Sequence, residues 1–92
     1  MHIFKNEFEV YKERLEYDFK KKYKRIIIHT ASNDINNYIE NILITVRIIE
    51  LDIQRTIKIN PELFNSMGEM DKFIKEHIEE QIKIMLKNYF VI

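Results

Sequence analysis

Ninety-two residues, 46% of them hydrophobic and 33% charged, are enough for one folded domain with a modest core and too few for two. Fifteen basic and fifteen acidic residues give a formal net charge of zero, so no overall electrostatic field draws the chain to nucleic acid or to an acidic membrane. The lack of cysteine excludes disulfides, thiolate catalysis and cysteine-ligated zinc.

The N-terminus and the hydropathy bear on the compartment. No basic region followed by an apolar run opens the chain, and no stretch reaches the ~20 apolar residues that span a bilayer. We therefore expect a cytoplasmic protein without a membrane partner. Abundant Ile, Lys, Asn, Phe and Tyr, against a single glycine, suggest an AT-rich genome.

Residues 3–24 predict an amphipathic helix. Large apolar side chains recur there at steps of three or four residues, namely at Phe4, Phe8, Tyr11, Leu15, Phe19 and Tyr23. Acidic residues crowd the start of this segment and lysines its end, an order that complements the helix macrodipole. A stripe of this kind is typical of a core rather than of an aromatic binding site.

A β-hairpin is predicted next. Residues 25–31 form an apolar run that we interpret as the first strand. Residues 32–37 (S-N-D-I-N-N) favour a turn, because Asn and Asp tolerate left-handed backbone conformations. The chain then returns along some part of residues 41–50, while residues 38–41 fit a loop, a helical turn or early strand.

The segment from Ile42 to Ile59 decides the architecture. It contains no Gly, Pro or Asn, and from Ile49 onward the apolar residues Ile49, Leu51, Ile53, Ile57 and Ile59 share one parity, as in a strand with one solvated face. Ile42 to Ile48 alternate with the opposite parity. A β-bulge at this point, or the meeting of two strands near residues 50–52, would produce the change.

A helix is the competing interpretation of the same segment, since its apolar residues also step by three or four positions. Strands are favoured because β-branched side chains lose rotamer freedom in a helix and pack well on a pleated sheet. Asn60 and Pro61 then end the segment.

A second amphipathic helix is predicted from a capping box at Ser66 and Glu69 to about residue 89. Its expected buried stripe comprises Met70, Phe73, Ile74, Ile78, Ile82, Met85 and Tyr89. The fold class is therefore α+β in a single compact domain (residues 1–92): an N-terminal helix, a small antiparallel sheet of two or three strands and a C-terminal helix, with both helices on one sheet face. The alternative is an all-α domain with a buried central helix.

The sequence offers no catalytic constellation. Its single glycine excludes a glycine-rich phosphate loop, and its two serines are explained by a turn and a helix cap. His77 and Glu80 share a helix face but lack the further ligands of metal-binding motifs. Glu50 and Asp52 fit the solvated face of a strand. We predict no enzymatic activity, no catalytic residue, no metal site and no cofactor.

The most concentrated charge lies at Lys20, Lys21, Lys22, Lys24 and Arg25. Phosphate contacts by these residues would make the protein a nucleic-acid-binding module. Five acidic residues among the first 25 positions and the zero net charge favour a solvated helix end instead. Nucleic-acid binding is therefore kept as the alternative function.

Apolar residues close the chain, where termini are normally polar. Tyr89, Phe90, Val91 and Ile92 are therefore predicted to join the sheet or core, or to contact a partner protein. Together with an exposed strand edge in residues 49–59, they predict a homodimer. The leading hypothesis is a small non-enzymatic interaction protein that binds a larger protein as an adaptor, regulator or inhibitor, a profile found among phage and mobile-element proteins.

Overall fold

A computed structural model describes residues 1–90 of the chain, with side chains described to residue 88. It contains helix α1 (Lys5–Lys22), strands β1 (Ile26–Ile35), β2 (Tyr38–Ile48) and β3 (Ile53–Ile59), and helix α2 (Met67–Phe90). Short 3-10 turns, Ile49–Leu51 and Pro61–Leu63, follow β2 and β3. The α+β prediction is confirmed. The all-α alternative is wrong, because residues 42–59 form strands joined by a turn.

The three strands form an antiparallel sheet in the order β1–β2–β3. A two-residue turn joins β1 to β2 at Asn36 and Asn37, whose φ angles of 51° and 69° are the left-handed values that a type I′ hairpin requires. The predicted turn at residues 32–37 is therefore too broad, since β1 continues to Ile35. Residues 38–41 belong to β2, with a bulge opposite Asn33 and Asp34.

The change of parity after Ile48 marks the end of β2. Asp52 adopts a left-handed conformation (φ 51°, ψ 39°), the chain reverses, and Ile53 pairs with Ile48. The meeting of two strands is thus the correct one of the two predicted explanations. Glu50 and Asp52 were wrongly placed on a strand face, because both lie in this reversal.

Both helices pack on the same face of the sheet, as predicted. Helix α1 contacts β1 and β2, and α2 contacts β2 and β3. Alternate strand residues point into this layer and are buried: Ile26, Ile28, Thr30, Ile42, Ile44, Val46, Ile48 and Ile59. They belong to one core with residues of the two helices: Phe8, Leu15, Phe19, Met70, Ile74, Ile78, Ile82 and Met85.

The helix ends differ slightly from the prediction. Helix α1 begins at Lys5 because the two preceding residues are extended beside β2, where the Ile3 carbonyl accepts the Ile39 N–H at 2.9 Å. The capping box of α2 is present: the Ser66 hydroxyl accepts the Glu69 N–H at 3.1 Å, and the Glu69 carboxylate accepts the Asn65 N–H at 3.3 Å.

Candidate interaction surface

The lateral edge of the sheet at β1 lies against helix α1. Backbone N–H groups on an edge strand need a partner when they are shielded from water. The N–H of Thr30 points away from β2 and donates a hydrogen bond of 2.8 Å to the Glu16 carboxylate of α1. This edge is therefore shielded along its buried residues, Ile26, Ile28 and Thr30.

The far end of β2 is also paired. Strand β3 stops at Ile59, opposite Ile42, whereas β2 extends to Tyr38. Residues 3 and 4 occupy the vacated position, with an antiparallel bridge between Phe4 and Tyr38. The extended segment before α1 thus acts as a short additional strand at this end.

The orientation of Thr30 sets the hydrogen-bond directions across the whole sheet. Because the Thr30 N–H points away from β2, Thr30 and Ile44 form a non-hydrogen-bonded pair. The N–H and C=O of Ile44 therefore point towards β3, where Ile44 pairs with Ile57. Along β3, the direction of the backbone N–H and C=O groups alternates from one residue to the next. Its odd-numbered residues bond to β2, while Gln54, Thr56 and Lys58 direct their N–H and C=O groups away from the sheet.

The outer edge of β3 is exposed. Within the described part of the chain, no hydrogen bond from outside the sheet reaches the backbone of residues 53–59. Four side chains of this strand are exposed: Gln54, Arg55, Thr56 and Lys58. Backbone donors and acceptors at such an edge are a template for an added strand.

One flank of α2 lies on the β3 side of the molecule. The opposite flank faces α1. There Asp71 accepts a hydrogen bond of 2.9 Å from the Tyr11 hydroxyl, and the Glu79 carboxylate accepts one from the Tyr23 hydroxyl. Helical periodicity places Phe73, His77 and Ile84 on the flank away from α1. We call the outer edge of β3 (residues 53–58) together with these three residues the β3–α2 surface.

Phe73 was wrongly assigned to the buried stripe. Its side chain is 37% exposed, because it lies at the border of the stripe on the β3 side. Its ring packs against Phe64, with the centroids 5.1 Å apart, and stacks on His77 at 4.0 Å. The packed rings thus form a partly exposed element of the β3–α2 surface.

The edge of β3 carries two positively charged residues. Arg55 and Lys58 have no carboxylate oxygen within 4.0 Å among the described side chains. Arg55 pairs with the buried Val46, so it extends from β3 on the face that the helices cover, yet it is exposed. A charge on this face of an edge strand opposes indiscriminate pairing with other strands.

The opposite face of the sheet has the same sign of charge. Its three cross-strand rows are Ile27–Arg47–Gln54, His29–Thr45–Thr56 and Ala31–Leu43–Lys58, and they contain no acidic residue. The Thr45 and Thr56 hydroxyls are hydrogen-bonded at 3.1 Å. At the turn beside these rows, the Asp52 carboxylate meets Arg47 at 3.1 Å.

The predicted phosphate-binding cluster is partly neutralised. Lys22 is ion-paired with Glu79, and Arg25 meets Glu50 at 3.0 Å. Although burial opposes its ionisation, hydrogen bonds from Lys22 and Tyr23 lower the pKa of the Glu79 carboxyl. The remaining members, Lys20, Lys21 and Lys24, have no carboxylate within 4.0 Å among the described side chains.

The cleft between the two helices has a volume of about 520 Å³ and is lined by charges of both signs. Two of its lining residues, Lys22 and Glu79, form an ion pair. The Tyr11 hydroxyl donates its hydrogen bond to Asp71 beside a second cleft, which both residues line. The charges that line the first cleft, four carboxylates and three lysines, nearly balance and therefore favour neither an anion nor a cation.

The described residues provide neither a metal-binding cluster nor a membrane-spanning helix. No group of three or more His, Asp or Glu side chains is arranged there to hold a metal ion. No helix in that part of the chain is long and apolar enough to cross a membrane. The predicted partner-binding residues Tyr89, Phe90, Val91 and Ile92 lie outside the residues whose side chains are described.

The exposed edge in residues 49–59 was anticipated from the sequence, but the contribution of α2 was not. Phe73 continues the apolar periodicity of the buried stripe, so periodicity alone assigns it to the core. No protein-family model, no curated protein and no solved structure matches this chain.

Proposed function

We propose that this protein is a non-enzymatic interaction module that binds a larger protein by accepting an extended segment of it as a fourth strand along β3. The observation that carries the proposal is the outer edge of β3, whose outward backbone groups have no hydrogen-bond partner among the described residues, while α1 bonds the outward Thr30 N–H of the β1 edge. An added strand would satisfy the outward N–H and C=O groups of Gln54, Thr56 and Lys58. Such binding suits an adaptor, regulator or inhibitor.

A second copy of the chain, as in the predicted homodimer, is the competing occupant of this edge. Pairing β3 with β3 would bring Arg55 and Lys58 of both copies into one two-stranded ribbon, and like charges in such a pair oppose association. A partner segment of different sequence avoids this repulsion. The homodimer stays a prediction, and its formation through β3 is one outcome of the test below.

Selection from a displayed library of short random linear peptides tests the proposal. Peptides that bind the wild-type protein should fail to bind Thr56→Pro, which removes an outward N–H without removing a bond to β2. The matched control Thr56→Val keeps the N–H and the β-branched shape, and it should retain binding. Thermal unfolding of both variants checks that the fold is intact.

Amide exchange gives the second arm of the experiment. On binding of a selected peptide, the N–H groups of Gln54, Thr56 and Lys58 should exchange more slowly with water, because they become hydrogen-bonded. Failure to select any peptide, or binding that survives Thr56→Pro, would contradict strand addition. A selected peptide that instead protects residues 20–25 would place the binding surface at the end of α1.

Nucleic-acid binding through the basic cluster is the less supported alternative, since Lys22 and Arg25 already have acidic partners. A triple variant in which Gln replaces Lys20, Lys21 and Lys24 would weaken any such binding and reduce its salt dependence, because fewer counterions would be released. We expect an electrophoretic-mobility titration to show no tight, salt-sensitive binding to DNA or RNA in either protein.

A further inference from the structure

Arg55 is the residue of β3 whose position constrains an added strand most strongly. It lies between Ile53 and Ile57, which extend on the same face and are half-buried. Its backbone bonds to Val46 of β2, so a residue opposite it on an added antiparallel strand would form a non-hydrogen-bonded pair. Side chains in such pairs approach most closely, with Cα atoms about 4.5 Å apart.

An added strand would therefore pack against Arg55 and withdraw its guanidinium from part of the surrounding water. Burying a charged group without a partner is costly, and Arg55 has no carboxylate within 4.0 Å among the described side chains to compensate. A carboxylate on the incoming strand would supply the compensation through a charge-assisted hydrogen bond. Lys58, on the other face of the same strand, adds positive charge to this edge.

The neighbours of that carboxylate are constrained by alternation. Residues two positions before and after it would lie opposite Ile53 and Ile57, on the side where the α2 flank presents Phe73 and Ile84. Apolar side chains at these positions would cover the half-buried isoleucines and the exposed Phe73 ring.

From these relationships we infer that the partner segment is acidic: an extended peptide in which a Glu or Asp pairs with Arg55 and is flanked, two residues away on each side, by apolar residues. The inference rests on the proposed function and specifies the chemistry of its partner. It also explains how the edge discriminates between partner strands, since a neutral or basic strand would cover Arg55 without supplying a carboxylate.

The test repeats the peptide selection on three proteins: wild type, Arg55→Glu and Lys72→Glu. Lys72 is exposed on α2, so the last variant makes the same change of net charge at a position outside the β3–α2 surface. Peptides from wild type and Lys72→Glu should share an acidic position flanked by apolar residues. Arg55→Glu should select Lys or Arg there, and it should bind the wild-type peptides at least about tenfold more weakly.

The outcomes separate the two proposals. Peptides that lose binding to Thr56→Pro but show no acidic position, or that bind Arg55→Glu equally well, would overturn the acidic-partner inference and leave strand addition standing. Peptides that bind Thr56→Pro as well as wild type would overturn strand addition itself. Enrichment of sequences like β3 would identify a second copy of the chain as the occupant and would also overturn the inference.

Discussion

The Glu16 carboxylate of α1 accepts a hydrogen bond from the Thr30 backbone N–H at 2.8 Å. A side chain of the covering helix thus satisfies an outward donor of the β1 edge. Among the described residues, no side chain or backbone group does the same for the outward N–H groups of β3. This asymmetry is the reason why we propose β3, and not β1, as the edge that a partner strand joins.

Glu16→Ala should leave the Thr30 N–H without a partner beneath α1. Losing a hydrogen bond to a charged group should lower the free energy of unfolding by about 1.5–3 kcal/mol. Urea denaturation measures this loss. Glu13→Ala, an exposed position of the same helix, is the matched control and should change stability by less than about 0.5 kcal/mol. Equal effects of the two substitutions would show that the Glu16 bond contributes nothing specific.

Thr30→Val should stabilise the protein. The Thr30 side chain is 0% exposed, and its hydroxyl oxygen has no hydrogen-bond partner among the described residues. Replacing a buried, unsatisfied hydroxyl with a methyl group of similar shape should raise the free energy of unfolding by about 1 kcal/mol. Thr45→Val, which removes a bonded hydroxyl, should not raise it. A loss of stability in Thr30→Val would mean that the hydroxyl is satisfied.

Tyr11 should couple stability to alkaline pH. Burial, together with its hydrogen bond to Asp71, raises the pKa of the Tyr11 phenol far above its ordinary value of 10.0. A pKa raised on folding stabilises the native state below pH 10, and this contribution is lost as the pH rises further, because the unfolded phenol ionises first.

Tyr11→Phe should therefore lower the free energy of unfolding by about 1 kcal/mol at pH 7 and lose less stability than wild type above pH 10. Denaturant titrations across this range measure both effects. Tyr17→Phe, at a residue that is 64% exposed, is the control and should follow wild type. An identical alkaline profile for Tyr11→Phe would contradict the contribution of this phenol.

The stabilising contribution of Glu79 should be lost at acidic pH. Its pKa is lowered from the ordinary 4.5, because bonds from Lys22 and Tyr23 outweigh the opposing effect of burial. A carboxyl with a lowered native pKa stabilises the fold above about pH 4.5, and this contribution is lost as the pH falls through the native value. Glu79→Gln should be less stable at pH 7 and should lose less stability on acidification, whereas the exposed control Glu80→Gln should behave as wild type.

The element order could be predicted from local sequence patterns because it depends on them. β-Branched residues and period-two alternation indicated strands in residues 42–59, and Ser66 with Glu69 indicated the start of α2. The hairpin turn was placed too widely because Ser, Asn and Asp favour turns locally. In the fold, the left-handed pair Asn36–Asn37 makes the turn and the preceding polar residues pair with β2.

The candidate surface was only partly predictable. An exposed edge follows from a short sheet, but which edge is shielded depends on the tertiary contact between Glu16 and Thr30, which no local pattern encodes. The exposure of Phe73 likewise depends on where α2 lies over β2 and β3. Periodicity identifies the apolar side of a helix but not how much of it the sheet covers.

The most direct test of the exposed β3 edge is residue-resolved amide exchange of the protein alone at two concentrations. We predict fast exchange at Gln54, Thr56 and Lys58, slow exchange at Arg55 and at the other β3 residues bonded to β2, and no change with concentration. Slow exchange at the three outward residues, at every concentration, would contradict the account because it would mean that the edge is already paired within the chain. Protection that grows with concentration would show that a second copy occupies it.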